Sequence, residues 1–225
     1  MINYWRHHWY DIGGILFVIL SFFLGLCNGA ISRIQVILLC SFMAMLVHQF
    51  EEYALPGGFP SIANYVMFRD RGIIDRYPLN AHQCFLCNVF FTYTFYLVPV
   101  FFPHVIWLGL AQVMAGFLQI PAHGIIMNMR LKSIYNPGLG AAVFLQLPIG
   151  IYFIWYTHVN GLANAGTYAI GLFAAFLAMI LVFGIPILVM RDKNTPYSFE
   201  EREIYGFAAD KIRKMQMESK LSERK

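Results

Sequence analysis

The sequence predicts an all-α fold, a polytopic membrane helix bundle of about six transmembrane helices, and three observations support this prediction. Of the 225 residues, 59% are hydrophobic and only 12% are charged, whereas soluble domains carry about 25% charged residues. The mean hydropathy is positive, at +0.58. Six apolar segments approach or exceed the ~20 residues that a helix needs to span a bilayer. These features exclude a disordered protein and a conventional soluble domain.

The six segments are expected to be helices, because in lipid a single segment must satisfy its backbone hydrogen bonds internally. They span residues 12–30, 34–53, 79–102, 105–128, 139–156 and 162–190. The third segment has a β-like composition, but its length favours a helix. The last segment is longer than needed and is expected to tilt or to end near Pro186.

Residues 1–190 are therefore interpreted as one membrane-embedded domain and 191–225 as a basic cytoplasmic tail. The loop 54–78 mixes apolar and charged residues, and either a short interfacial helix over the cytoplasmic mouth or a simple connector explains it. In the tail, Ser198 and Glu201 have the spacing of a capping box, which predicts a helix from about residue 198.

The distribution of basic residues predicts the orientation. With six spans, both termini and the loops 54–78 and 129–138 share one side, which then holds 15 of the 16 Lys and Arg residues and leaves Arg33 alone opposite. Basic residues accumulate on the cytoplasmic side, so both termini are expected there. A cleaved signal peptide ending near residue 30 is the alternative, but it would make the number of spans odd and break this charge split.

The net charge of +4 follows from this bias and does not indicate a nucleic-acid partner, since the aromatic–basic interleaving of single-strand binders is missing from the sequence. The expected partners are membrane lipids and a lipid-soluble substrate. Cys84 and Cys87 form a single C-x-x-C inside the third segment, and we expect them to pack as small hydrophobes rather than to form a redox or metal site.

The candidate site begins with two adjacent acids at the end of the second segment. A charge at bilayer depth costs at least ~2.5–3.5 kcal/mol, so a cation, a shared proton or a water-filled cavity must offset Glu51 and Glu52. On a helix they lie about 60° and 40° to either side of His48, which suits a divalent metal such as zinc. Acids at a helix C-terminus oppose the macrodipole, which argues against simple capping.

Two further histidines are expected at the same depth as His48. His82 begins the third segment on the cytoplasmic side, and His123 lies near the end of the fourth segment, which returns to that side. We therefore include both among the candidate metal ligands, with the glutamates as candidate catalytic groups.

Amides near these histidines are candidates for orienting the ligands. Gln119 and His123 lie about 40° apart around the fourth helix, and Pro121 removes a hydrogen bond between them. Asn128 lies about 140° from His123 on a regular helix and joins the site only if Pro121 turns it. Asn80 is the corresponding candidate at the start of the third segment, where a structural role between helices is the alternative.

Two motifs resemble those of a known family. His48-x-x-Glu51-Glu52, together with the Tyr-Asn-Pro-Gly sequence of residues 135–138, resembles the HXXEE-motif family of bacterial integral membrane proteins. The resemblance spans roughly residues 40–155, and it implies a bacterial inner-membrane protein with a shared site but no particular reaction. Its N-A-x-x-H motif is met at Asn80 only in part, since Cys84 occupies the histidine position.

Three functions remain open from the sequence. A metal-dependent hydrolase would bind the ion through the histidines and one glutamate, leave one coordination position open, and act on a lipid or isoprenoid-like substrate. A metal-free glutamate-type intramembrane protease has a similar residue inventory, but its E-E-x-x-x-R pattern needs an Arg where this chain has Leu55 and Pro56. A small ion- or proton-coupled transporter is the third reading, although transporters usually place their site at the midplane between repeats.

Overall fold

The computed structural model of the protein describes residues 2–27, 29–69 and 72–222. These residues form an all-helical bundle in which six helices are long and apolar enough to cross a membrane, which confirms the predicted fold class. The six helices are α1 (Ile2–Cys27), α2 (Arg33–Tyr53), α4 (Ala81–Phe101), α5 (Ile106–Leu131), α6 (Leu139–Val159) and α7 (Ala165–Met190). Asp70, Arg71 and residues 223–225, which include basic residues used in the orientation argument, lie outside the described residues.

Helix α2 occupies the centre of the bundle. It packs against α1, α4, α5 and α6, while α7 packs mainly along α5. More of the apolar window of α2 is buried than in the other five candidate spans. The helix that carries the histidine–glutamate motif is therefore surrounded by protein rather than lipid.

Shorter helices cover the end of the bundle where α2 terminates, which we call the capped end. The α-helical turn Phe59–Ser61 and the π-helical turn Ile62–Met67 together form α3, and the tail contributes α8 (Glu201–Ile204) and α9 (Ala209–Ser222). Helix α3 is a packed element rather than a loose connector, because Ile62 and Asn64 are fully buried. The tail also packs closely, since a Cβ on Gly206 would collide with the backbone of Gly57.

Two boundaries differ from the sequence prediction for the same reason. Helix α1 begins at Ile2, ten residues early, and α8 is capped by Glu200 rather than by Ser198. Glu203 accepts a 2.7 Å hydrogen bond from the Glu200 N–H and lies 2.8 Å from Nδ1 of His7. Polar residues that a hydropathy pattern assigns to solvent are here paired between the first helix and the tail.

The regular hydrogen bonding of α5 changes next to His123. Pro121 has no N–H to donate, and it begins the π-helical turn Pro121–Met127, in which bonds run from residue i to i+5. The N–H of Asn128 accordingly donates to the carbonyl of His123. The wider turn brings Asn128 toward the side of α5 that carries His123, and both side chains contact Asn136.

Candidate metal centre

Three buried side chains from two helices converge near the capped end. Nε2 of His48 lies 3.6 Å, and Nε2 of His123 lies 3.4 Å, from Oε1 of Glu52. These distances exceed the ~2.7–3.2 Å of a hydrogen bond involving N and O. They are close to the ~3.3–3.4 Å that separates two ligands bound at ~2.0–2.1 Å to a tetrahedral metal ion. All three atoms lie within 4.8 Å of one another.

Each imidazole faces Glu52 with Nε2 and makes a hydrogen bond with Nδ1. This hydrogen bond determines which of the two ring nitrogens carries the proton. Nδ1 of His48 lies 2.8 Å from the carbonyl oxygen of Gly138, and Nδ1 of His123 lies 2.7 Å from Oδ1 of Asn136. Both partners are acceptors, so both Nδ1 atoms must be donors. The neutral imidazoles therefore present unprotonated Nε2 atoms to the carboxylate.

Three buried acceptors thus face one another, and among the described residues no hydrogen-bond donor contacts Glu52. Buried acceptors without a donor are costly, and adjacent lone pairs repel. A cation or a proton between His48, Glu52 and His123 would remove this conflict. The donor set of two imidazoles and one carboxylate fits a divalent ion such as zinc.

An amide network orients His123. Nδ2 of Asn136 donates to the carbonyl of His123 at 2.8 Å and to Oδ1 of Asn128 at 2.7 Å, so Oδ1 of Asn136 is the atom that accepts from the imidazole. Asn128 in turn donates to the carbonyl of Ile134 at 2.9 Å. Asn128, predicted as an orienting residue, therefore acts on His123 through Asn136. The sequence indicates Asn136 only as part of the Tyr-Asn-Pro-Gly motif, not as a site residue.

The backbone at Gly138 brings the loop close to both imidazoles. Gly138 has a φ of +100°, and a Cβ there would lie 2.6 Å from Cε1 of His123 and 2.8 Å from Cε1 of His48. A side chain at this position would collide with both rings and adopt a backbone conformation that favours glycine. Glycine is thus required for the carbonyl to reach His48.

Glu51 does not join the three ligands. Its Oε1 accepts hydrogen bonds from the hydroxyl of Tyr135 at 2.6 Å and from the N–H of Gly140 at 2.9 Å, while Oε2 accepts from the N–H of Ala141 at 2.7 Å. The unpaired N–H groups and the dipole at the start of α6 favour an acceptor at this position. The two adjacent glutamates therefore have different surroundings, and Glu51 connects α2 to α6.

Tyr135 lies in the loop before α6. Partial burial, followed by its hydrogen bond to Glu51, raises the pKa of the Tyr135 hydroxyl above its ordinary value. The protonated hydroxyl is therefore available as a donor at neutral pH, and the bond is lost only as the pH rises through this raised pKa.

Beside the three ligands lies a cavity of about 210 Å³. His48, Glu52 and His123 line one part of it, the amides of Gln83, Asn88 and Gln119 also face it, and most of the other lining side chains are apolar. Gln119, predicted to orient a ligand, faces this cavity, and its side-chain amide makes no hydrogen bond with the described residues. The fourth coordination position of a bound ion could therefore face the cavity.

Two predicted residues lie outside the centre. The ring of His82 packs 4.8 Å from the ring of Tyr197 in the tail, and His82 does not line the cavity. Asn80 caps α4 by accepting from the N–H of Gln83 at 3.0 Å, and it donates to the carbonyl of Met190 at 3.2 Å. These contacts connect α4 with the tail and the end of α7, which is a structural role. In the sequence, a polar residue at the start of a helix can serve either this role or ligand binding.

A second group with metal-ligand chemistry occurs at the junction of α1 and the tail. It consists of His7, Glu200 and Glu203. Here the contact between His7 and Glu203 is a direct 2.8 Å hydrogen bond, and Glu200 pairs with Arg202 at 3.0 Å. Because His7 hydrogen-bonds to Glu203 and Arg202 pairs with Glu200, a bound ion would stabilise this group less than it would stabilise the buried centre.

Comparison with known proteins supports the family resemblance of the two motifs. The family model described as "Protein of unknown function with HXXEE motif" matches residues 39–153, a range that includes all three candidate ligands and the loop that holds them. No curated protein and no solved structure matches the chain. The match covers just over half of the chain, and this protein therefore belongs to the HXXEE-motif family.

Proposed function

We propose that this protein is a membrane-embedded, metal-dependent hydrolase that acts on a lipid-soluble substrate. The observation that carries the proposal is the arrangement of three buried acceptors from His48, Glu52 and His123 at tetrahedral ligand spacing. Two imidazoles and one carboxylate are a donor set that catalytic zinc sites use, with the remaining position open to water or substrate.

A divalent ion at this centre would polarise a substrate oxygen and lower the pKa of a bound water. The chain's own residues hold the geometry. Gly138 and Asn136 orient the two histidines, and Glu51 anchors the start of α6, from which that loop extends. Only Oε1 of Glu52 faces the histidines, so its other oxygen can accept a proton. Both oxygens of Glu51 already accept hydrogen bonds, and Glu52 is therefore the proposed acid–base group.

We further propose that the protein lies in the bacterial inner membrane with both termini in the cytoplasm. The six membrane-length helices and the asymmetric distribution of Lys and Arg support this orientation. The centre would then lie in the cytoplasmic leaflet, near the end of α2.

Elemental analysis of the detergent-purified protein tests the proposal. We expect one divalent ion per chain, lost in His48→Ala, Glu52→Gln and His123→Ala. His7→Ala is the matched control, because it removes a histidine from the other group of potential ligands and should leave the ion in place. A folded wild-type protein that neither contains nor takes up a divalent ion would contradict the proposal and favour the metal-free glutamate-type hydrolase.

A further inference from the structure

The cavity beside the centre continues toward the middle of the bundle. A smaller void of about 10 Å³, the size of about one water molecule, adjoins it, and the two share Met45, Gln119, Met179 and Phe183 among their lining residues. This void is also lined by Thr92, Ala115 and Ala178, which lie near the midpoints of α4, α5 and α7. Together the two spaces follow a path from the polar centre toward the centre of the bilayer.

The direction of this path matches the orientation of a lipid in the same leaflet. A membrane lipid has its polar group near the surface and its chain in the hydrocarbon core, just as the path has its polar residues near the end of α2. Along its side the lining is partly accessible, since Phe68 is 45% exposed and both Met179 and Phe183 are half-buried. A lipid could therefore enter sideways between α3 and α7 without turning over.

The size of the path limits the number of chains. Its main cavity, about 210 Å³, is smaller than the ~300–1,000 Å³ of sites that hold drug-sized ligands. One slender chain fits this space better than the two chains of a phospholipid.

The charges along the path limit the polar group. Of the described residues that line it, none is Lys or Arg, and Glu52 is the acid. A divalent ion beside Glu52 would leave one net positive charge, whereas a phosphate monoester carries about −1.5 to −2 near neutral pH. Burying this excess negative charge without a partner is costly, so an uncharged ester, amide or alcohol is favoured.

Gln119 offers a hydrogen bond to such a group. It is 8% exposed and lines both spaces, and its amide has no hydrogen-bond partner among the described residues. Gln112, on the same helix, instead donates to the carbonyl of Leu38 at 2.8 Å. An unpartnered buried amide gains most from a ligand that supplies the missing partner.

We infer that the path binds one single-chain lipid whose uncharged polar end lies between Gln119 and the His48–Glu52–His123 centre and whose chain extends toward Ala178. The inference rests on the proposed function, for which it names the class of substrate. An isoprenoid-like substrate agrees with this inference if its polar end is uncharged, but not if it carries a pyrophosphate.

Equilibrium binding to the purified protein in detergent tests this inference with two radiolabelled probes that have the same chain, 1-oleoylglycerol and 1-oleoylglycerol 3-phosphate. Both are used as their ether-linked analogues, because a hydrolase does not cleave an ether. We expect saturable binding of one 1-oleoylglycerol per chain, at least about tenfold tighter than the phosphate. Gln119→Leu should weaken the binding of 1-oleoylglycerol about tenfold, the effect of one lost hydrogen bond in a buried site. Gln112→Leu, the same substitution on the same helix outside the path, should not.

Chain-length selectivity gives a second, independent readout. Ala178→Phe should fill the inner end of the path and shift the preference from oleoyl to lauroyl glycerol. Leu177→Phe adds a ring at a neighbouring position that is 42% exposed and should leave the preference unchanged. If Ala178→Phe does not fold, Ala178→Val provides a smaller obstruction in the same place.

Metal content measured on the same samples separates this inference from the proposed function. Saturable 1-oleoylglycerol binding by a protein that takes up no metal would contradict the hydrolase proposal and leave the lipid site standing. Metal binding without saturable 1-oleoylglycerol binding would overturn the lipid site. Equal or tighter binding of the phosphate, or an unchanged affinity in Gln119→Leu, would also overturn it.

Discussion

The hydroxyl of Tyr135 donates a 2.6 Å hydrogen bond to Oε1 of Glu51, so the first residue of one motif contacts the first glutamate of the other. The next contacts follow the same arrangement, because Asn136 and Gly138 hold the two histidines of the centre. The two motifs are therefore the two sides of a single site.

Glu52→Gln should abolish metal binding without lowering thermal stability below that of the metal-free wild-type protein, which is the comparison needed because a bound ion itself stabilises the folded state. The side chain accepts no hydrogen bond from the described residues, and removing its charge relieves the conflict with the unprotonated Nε2 atoms of both histidines. Inductively coupled plasma analysis and a melting curve in detergent measure the two effects. Retention of the ion at full stoichiometry would show that Glu52 is not a ligand.

Glu51→Gln should have the opposite pattern, with lower stability and a metal ion still bound. Glutamine keeps one acceptor oxygen but places an NH2 group where Glu51 now accepts from a backbone N–H. An unsatisfied buried donor of this kind costs about 1–3 kcal/mol. Denaturant or thermal unfolding compared with Glu52→Gln measures the difference, and a Glu51→Gln variant as stable as wild type would contradict this role.

Asn136→Ala should weaken metal binding about 10–100-fold, the usual effect of removing a partner that orients a ligand. It leaves Nδ1 of His123 without an acceptor and frees the ring to change tautomer. Asn160→Ala is the control, because Asn160 is exposed and donates only to the carbonyl of Tyr156 within its own turn. Competition with a chromophoric chelator gives the affinities, and equal values for the two variants would contradict the orienting role.

Gly138→Ala should disrupt the centre, whereas Gly161→Ala should not. Both glycines have positive φ, so both substitutions introduce backbone strain of about 1–2 kcal/mol. A new Cβ at Gly138 meets both imidazoles, but at Gly161 nothing lies within 4 Å. Metal content should therefore fall only in Gly138→Ala. A similar metal content in both variants would mean that the loop adjusts without moving His48 or His123.

A reporter fused after Lys225 should be active in the cytoplasm, while one inserted at Gly161 should be active on the opposite side. The expectation follows from the distribution of basic residues around six spans. A paired alkaline phosphatase and fluorescent-protein fusion at each position measures it. Periplasmic activity of the fusion after Lys225 would contradict the predicted orientation.

The sequence predicts those features that depend on residues close together in the chain. Spans were predicted because hydropathy over ~20 residues reports directly on the cost of placing a segment in lipid. The start of α1 at Ile2 differs from the predicted start at residue 12, because a charged residue such as Arg6 is expected in solvent, whereas the fold buries it. The grouping of His48 and Glu52 followed from helical spacing.

The sequence by itself thus determined the membrane-bundle class, the approximate spans and the set of candidate side chains. Only the tertiary structure distinguished Glu51 from Glu52, because helical spacing places both near His48 but does not say what lies opposite. The donors to Glu51 are 84 to 90 residues away in the chain. Side chains acquire their chemistry from such distant partners, and no local pattern contains them.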